Sequence, residues 1–317
     1  MDINKLAALR ELSAHKTMTE VARNLHLSPS AISQQIAMLE QELDIALIER
    51  SGRGVELTLA GERLVQYADK IFYEIESARA EMFSLKQQVA GRVRIAAFPS
   101  VAAALIPRTL SMLKKTHPRL SVTFEEMEPE ESLNALRGWQ TDIALIDDLN
   151  VPGLPEPNIA VMPLMEDVFN VILPPGHHLA KRKKIPLAEL RNEHWVTDTA
   201  SQNYTVMLTA ACRASGFDPQ IVARCKGFEV TIAMIRGGCA IAILPELRAS
   251  FDLEGTSVRR VSPELRRRIS VGFRQNEKRS PLIRAVLLSL YECTLLSGKC
   301  SPEAQAILQK LRQEDEK

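Results

Sequence analysis

Over the first ninety residues, apolar side chains recur at helical spacing. Ile3, Leu6, Leu9 and Leu12 mark one amphipathic segment, and Thr19 opens a second, TEVARNLHL, with Val21, Ala22 and Leu25 on one face. Ser28-Pro29 then pairs a serine N-cap with proline at the first helical position. The helix it starts carries Ile32, Ile36, Leu39 and Leu43 inward, and a tight turn at His26-Leu27-Ser28 joins the two helices into a helix-turn-helix. Its outer side shows Ser30, Ser33, Gln34, Gln35 and Met38, neutral up to Glu40, where a free surface helix would carry Glu and Lys. Such side chains can read base edges and phosphates; a polar solvated face is the plainer alternative. LIERSGRGVELTLAG reads as strand, glycine turn at Gly52 and Gly54, and strand, with Arg50 and Arg53 flanking the turn. That is a basic hairpin able to hold phosphate or enter a minor groove, or an ordinary surface hairpin.

Thr58 caps a long helix predicted to end near Gly91. Leu64, Ala68, Ile71, Ile75, Ala78, Met82, Leu85 and Val89 follow one another in alternating steps of four and three, a heptad seam. A narrow stripe along roughly 50 Å of helix asks for a second copy of itself, so the spacing predicts a dimer. From Gly91 the pattern alternates strand and helix. RVRIAAF, LSVTFEEM and DIALID are strands around two helices, and DVFNVIL, WVTD, AIAILP and RISVGF repeat the theme after a proline-rich connection. Alternation of this kind predicts a parallel sheet, in two blocks with a cleft between them.

The length of 317 residues suits about two domains, and 45% hydrophobic with 25% charged residues is ordinary globular composition. No apolar run is long enough for a membrane span, and the first residues show no signal-peptide pattern. Five widely spaced cysteines without a CxxC point to a reducing cytoplasm. Net charge is −3 over residues 1–90 and +4 over the rest. DNA binding would therefore need locally placed basic groups, because bulk attraction is absent.

Taken together, TEVARNLHLSPSAISQQIAMLEQELDIALIERSGRGVELTLAGERL, the long helix and the two-block remainder resemble a LysR-type transcriptional regulator over nearly the whole chain. Leu39-Glu40, Leu43, Leu47, Arg50 and Leu57-Thr58-Leu59-Ala60-Gly61 carry the resemblance, with RGGCAIAILP and PPGHHLA further on. Pro29, Asp44 and Cys239 depart from it, standing where many members have Gln, Gly and Gly. The resemblance implies an α/β protein: an N-terminal all-α winged helix-turn-helix, a long linker helix, and a two-lobed periplasmic-binding-protein-like effector domain. The expected ranges are 1–58, 59–90 and 91–317, with lobe I about 91–163 and 268–317 and lobe II about 164–267. It also implies DNA contacts from Ser28, Pro29, Ser30, Ser33 and Gln34, with Arg50 and Arg53 on backbone or minor groove, and two recognition helices in successive major grooves. Double-stranded DNA, a small-molecule effector, a second copy (and a dimer of dimers) and RNA polymerase are the implied partners; no membrane is.

Ligands of doubly wound sheets bind beyond the carboxyl ends of strands, near helix N-termini. The effector-contact candidates are therefore Pro99, Ser100 and Val101, then Met127, Glu128 and Asp147, then Thr197, Asp198 and Thr199, and Phe228, Glu229 and Val230. Ser100 and Thr199 read equally well as helix N-caps. Acids recur at these positions and Lys or Arg does not, which suggests a cationic or donor-rich effector, unless the acids face solvent at the rim. No GxSxG, HExxH, P-loop or GxGxxG is present, so no enzyme activity, metal or cofactor is expected. An enzyme in the two-lobed part, an exported solute-binding protein and a thiol-based sensor at Cys212 or Cys225 are the alternatives. His177-His178, beside the KRKK run at 181–184, reads as a solvated loop or a metal contact.

Overall fold

The structure is a computed structural model that describes residues 1–15, 17–25, 27–51, 54–84, 89–149, 158–198, 202–249 and 253–315. The chain divides into two compact units, Met1–Met82 with Arg137–Gln140, and Phe83–Leu136 with Thr141–Lys317.

In the first unit, helices α1 (Ile3–His15), α2 (Met18–Asn24) and α3 (Pro29–Leu43) precede a hairpin of β1 (Ile48–Ser51) and β2 (Gly54–Leu57) and the helix α4 (Leu59–Ser84). Thr17, not Thr19, caps α2: its side chain accepts the Glu20 N–H, so the helix begins at Met18. Ser28 caps α3 by accepting the Ala31 N–H at 3.2 Å. Leu6, Leu9, Leu12, Val21, Ala22, Ile32, Ile36, Leu39 and Leu47 close one core. Each such buried aliphatic side chain contributes about 1.5–3 kcal/mol relative to exposure. Leu43 escapes this core and is exposed. Asp44 ends α3 at φ 51°, the left-handed conformation that glycine adopts most easily and that Asp tolerates better than most residues. That explains why a glycine is common there in the resembling family. Thr58 Oγ1 accepts the Gly61 N–H at 3.1 Å, capping α4 as the sequence indicated.

α4 is described over 26 residues to Ser84, about 39 Å of helix; residues 85–88, where its expected end near Gly91 would be approached, lie outside the described residues. The expected seam is divided by the structure. Ala68 is fully buried in the core of its own unit, and Leu64 and Ile71 pack against that core. These three positions are therefore occupied within the chain. Ile75 is half-buried, Ala78 and Met82 are exposed, Leu85 lies outside the described residues, and Val89 lies beyond the helix. Tyr67, on the same helix, is 60% exposed.

The second unit runs β3 (Gly91–Ala97), α5 (Pro99–Thr116), β4 (Leu120–Glu126), α6 (Pro129–Arg137), β5 (Ile143–Asp147), β6 (Ile159–Leu173) and β7 (Lys184–Pro186). It continues with β8 (His194–Asp198), α7 (Gln202–Ala214), β9 (Gln220–Cys225), α8 (Phe228–Arg236), β10 (Ala242–Pro245), α9 (Glu246–Ala249) and β11 (Ser257–Ser262). β12 (Arg266–Arg274), α10 (Pro281–Leu296) and α11 (Pro302–Asp315) complete it. The main sheet is ordered β4-β3-β5-β12-β6-β11-β7, with β10 also on β6, and β8 pairs β9 separately.

β3 is parallel to β4 and β5, but β12 is antiparallel to β5 and β6, and β10 and β11 are antiparallel to β6. The expected parallel sheet is thus a mixed one. β11 and β12 are not neighbours of each other; each runs antiparallel to β6, which lies between them in the strand order. β6 is the pivot: its first part pairs with β12 and its last residues pair with β10 and β11. The expected lobe boundaries, between 163 and 164 and between 267 and 268, fall inside β6 and β12. Among the described residues, no helix is long and apolar enough to cross a membrane.

Candidate DNA-binding face and ligand cleft

Ser28, Pro29, Ser30, Ser33 and Gln34 are all exposed along the start of α3. The Ser28 and Ser30 hydroxyls lie 2.9 Å apart and share a hydrogen bond. Gln35, expected outside, is half-buried. The acids of α3 are engaged elsewhere. Glu40 Oε1 accepts the Leu47 N–H at 2.7 Å and the Ile48 N–H at 3.2 Å, pinning the hairpin to the helix. Glu42 meets the terminal amino group at 2.8 Å and Lys5, whose hydrogen bond holds its carboxyl down to about 2. The helix therefore presents an uncharged, hydrogen-bonding strip without uncompensated negative charge, as a face approaching phosphates requires. In the hairpin, Arg50 pairs with Val55 across the ladder. The Arg50 side chain, and Gly52 and Arg53 at the tip, fall outside the described residues.

In the second unit a cleft of about 670 Å³, open solvent included, lies over the crossing strands. Phe98, Pro99 and Ser100 enter it from the β3–α5 junction, Glu128 from the start of α6, and Asp147 from the end of β5. The opposite wall is Val196, Tyr204, Phe228, Thr231, Leu244, Pro245 and Arg248, with Phe169 and Arg267 as floor. Its apolar walls with a few convergent polar groups are those of a small-molecule site.

Arg267 organises the floor. It and Asp167 stand opposite each other on β12 and β6. Its Nε and Nη2 donate to Asp167 Oδ2 at 3.1 and 2.8 Å, Nη1 to Asp147 Oδ2 at 3.1 Å, and Nη2 also to Ser100 Oγ at 2.7 Å. Its guanidinium lies over the Phe98 and Phe169 rings, 4.8 and 5.3 Å from their centroids. Asp167 Oδ1 accepts the Leu247 N–H at 3.1 Å, so one buried guanidinium ties β12 to Ser100 on one wall and, through Asp167, to α9 on the other. Burial pushes the Asp147 carboxyl above its ordinary range, against the opposing pull of Arg267.

Several expected contacts are thereby corrected. Pro99, Ser100, Glu128, Asp147 and Phe228 do line the cleft. Val101 and Thr197 do not: both are buried below the surface, Val101 as the third residue of α5. Met127, Glu229 and Val230 are also absent from the wall, the last two turning outward on the first turn of α8. The Asp198 side chain and Thr199 lie outside the described residues. Ser100 is the second residue of α5, and Phe98, not Ser100, occupies the cap position. The premise that no Arg enters the cleft is overturned by Arg267 and Arg248. A usable signal existed: Arg266-Arg267-Arg268 lies in a strand of period two, which turns the middle side chain to the opposite face from its neighbours.

None of the five cysteines is in a disulfide. Cys212 is fully buried in the α7 core, and desolvation pushes its thiol up to about 11, away from reactive thiolate. Cys225 packs against a neighbouring core, and Cys239 is exposed in the turn after α8.

The chain matches the LysR substrate binding domain over residues 86–292 and the bacterial regulatory helix-turn-helix protein, lysR family, over residues 3–62. It is 27% identical over 287 residues to CysL of Bacillus subtilis, an HTH-type transcriptional regulator, spanning 89% of this chain and 95% of CysL. It is 27% identical over 280 residues to the transcriptional dual regulator OxyR of Escherichia coli, spanning 86% and 90%. A full-length OxyR variant from Pseudomonas aeruginosa superposes with a TM-score of 0.74 at 22% identity over 95% of this chain and 96% of its own. Full-length CbnR complexed with its target DNA gives 0.67 at 19% identity, over 92% and 100%. At these identities the two structures speak for the fold.

Proposed function

The chain belongs to the LysR family of transcriptional regulators, and from that membership we infer that α3 reads DNA under the control of a small molecule held over Arg267. It is a regulator and not an enzyme, as are its relatives along nearly the whole length. Ser30, Ser33 and Gln34 contact base edges from α3, Ser28 and Pro29 set its entry into the groove, and Arg50 and Arg53 reach the backbone or minor groove. The observation that carries this reading is the neutral exposed strip of α3, with Glu40 and Glu42 drawn away by the hairpin and by Lys5. Outward residues of α4 from Ile75 to Met82 join two copies, two dimers pair into a tetramer, and the assembly contacts RNA polymerase in the cytoplasm. Residues 1–58, 59–90 and 91–317 act as reader, linker and sensor.

The effector bears a cationic or donor-rich group and not a bare carboxylate. Support comes from the floor: Arg267 is already answered by Asp147, Asp167 and Ser100. The trio holds no surplus positive charge whether or not Asp147 carries a proton, and the walls carry one carboxylate, Glu128, as well as one guanidinium, Arg248. Binding would favour one arrangement of the paired dimers over another, a population shift.

Footprinting of wild type and of Ser33→Ala/Gln34→Ala on the protein's own upstream DNA tests the reader. We expect a loss of about 1–3 kcal/mol per lost base contact with an unchanged fold. Equal specific binding by the double variant overturns the assignment of α3. Repeating the footprint with amines and with simple carboxylates tests the sensor, and a response to carboxylates alone refutes the chemistry assigned to the cleft.

A further inference from the structure

Away from both sites, the second unit brings together three side chains that can ligate a metal. His177 and His178 flank the start of a short 3-10 turn, and Glu193 immediately precedes β8. One nitrogen from each histidine and one carboxylate oxygen of Glu193 lie within 4.8 Å of one another. The His177 and His178 rings stack with centroids 4.5 Å apart.

The arrangement is held from below. Leu179 and Leu190, on the two turns that carry the ligands, are buried in one core, and Ala180 N–H bonds to His177 O at 2.9 Å while Glu193 N–H bonds to Leu190 O at 3.2 Å. The His177 side chain is 8% exposed, and its buried Nε2 lies 3.3 Å from Glu193 Oε2. With Nδ1 accepting the Leu179 N–H, this nitrogen faces the Glu193 carboxylate directly. The 3.3 Å separation is also the ligand–ligand edge of a tetrahedral site, since bonds of about 2.0–2.1 Å to zinc set nitrogen and oxygen about 3.3 Å apart.

We propose that His177, His178 and Glu193 form a binding site for a divalent transition metal of the zinc class, with the fourth position taken by water. The ion class follows from the donors. Two imidazoles and one carboxylate suit zinc, nickel or copper, whereas calcium and magnesium require oxygen-rich sets. The exposed Lys181, Lys183 and Lys184 nearby work against ions held by charge alone, and favour one held through coordination bonds to neutral imidazole. One local rearrangement accompanies binding. His177 Nδ1 accepts the Leu179 N–H at 3.2 Å, so coordination through Nε2 moves the ring proton to Nδ1 and gives up that one neutral hydrogen bond. A metal–imidazole bond outweighs it.

The test is titration of chelator-stripped, full-length protein with Co²⁺, read by its visible d–d absorbance, and with Zn²⁺, read by calorimetry. Wild type takes up one equivalent per chain with the absorbance of a four-coordinate site. His178→Ala and Glu193→Gln, both partly solvent-facing positions, each weaken uptake by well over tenfold while circular dichroism and thermal unfolding of the metal-free protein stay unchanged. Absence of saturable uptake by wild type overturns the proposal. So does uptake that both variants retain, because it places the ion on other histidines or cysteines.

Discussion

Replacing Arg267 with methionine removes the cation that two buried carboxylates share while keeping much of the side chain's volume over Phe98 and Phe169. Asp167 has no exposed surface and Asp147 only 6%, so neither recovers full hydration when the guanidinium goes. Breaking a buried ion pair from one side costs about 3–5 kcal/mol. At 2–4 °C per kcal/mol for a unit of this size, that is roughly 6–20 °C in the melting temperature. The pH dependence separates charge from packing. Burial already raises the Asp147 carboxyl above its ordinary value of 3.8, and Arg267 is the chief opposing influence, so its loss drives the carboxyl higher still. An acid whose folded value lies above its unfolded value binds its proton more tightly when folded. The penalty is accordingly absent below about pH 4 and grows as pH climbs through the raised folded value. Urea unfolding followed by the fluorescence of buried Trp195 should thus show a deficit in Arg267→Met that is large at pH 8 and much smaller at pH 5. A second exchange, Asp147→Asn in the same background, should recover part of it. A deficit below about 1 kcal/mol, or one identical at both pH values, refutes the electrostatic role given to Arg267.

Further expectations concern the other elements. Ile75→Asp should weaken self-association in sedimentation velocity at unchanged melting temperature, whereas Ala68→Leu should overpack the first unit and destabilise it by about 1–3 kcal/mol with less effect on assembly. Gly61→Ala should be more damaging than an ordinary helical substitution, because a Cβ there would lie 2.1 Å from the Leu47 carbonyl oxygen; the check is a fall in specific DNA affinity together with a lower unfolding midpoint. Cys212 should resist alkylation and peroxide at neutral pH in the folded protein and react at the rate of exposed thiols only in urea, as mass spectrometry would register.

Much of the reading half was legible in the sequence because its signals are local. A serine followed by proline starts α3, Ile32, Ile36 and Leu39 repeat at helical spacing, and Thr58 caps α4, each within a few residues. The heptad seam was legible as a pattern but not as a destination: Leu64, Ala68 and Ile71 satisfy the same spacing whether they face another chain or, as here, their own unit. In the sensing half, the walls contributed by Ser100, Glu128 and Asp147 could be placed because each sits at the end of a recognisable strand or the start of a helix. The pairing of Arg267 with Asp167 could not. Their meeting depends on the cross-strand register of β6 and β12, a hundred residues apart, and no periodicity within either segment records that pairing. The same distance hid the mixed sheet, since strand direction is settled by partners and not by composition.

β6 and β12 run together through the second unit, laddered along nine paired positions from Arg266 opposite Val168 to Arg274 opposite Ile159, with one register shift between Ile269 and Ser270. Such a ribbon behaves as a torsion bar. The halves would rock by sharing a small change of twist over many hydrogen bonds, and a molecule bound beside Arg267 would push near one end of that ribbon, one position in from Arg266. A signal sent that way would take the form of a modest rotation that unfolds no part of the chain.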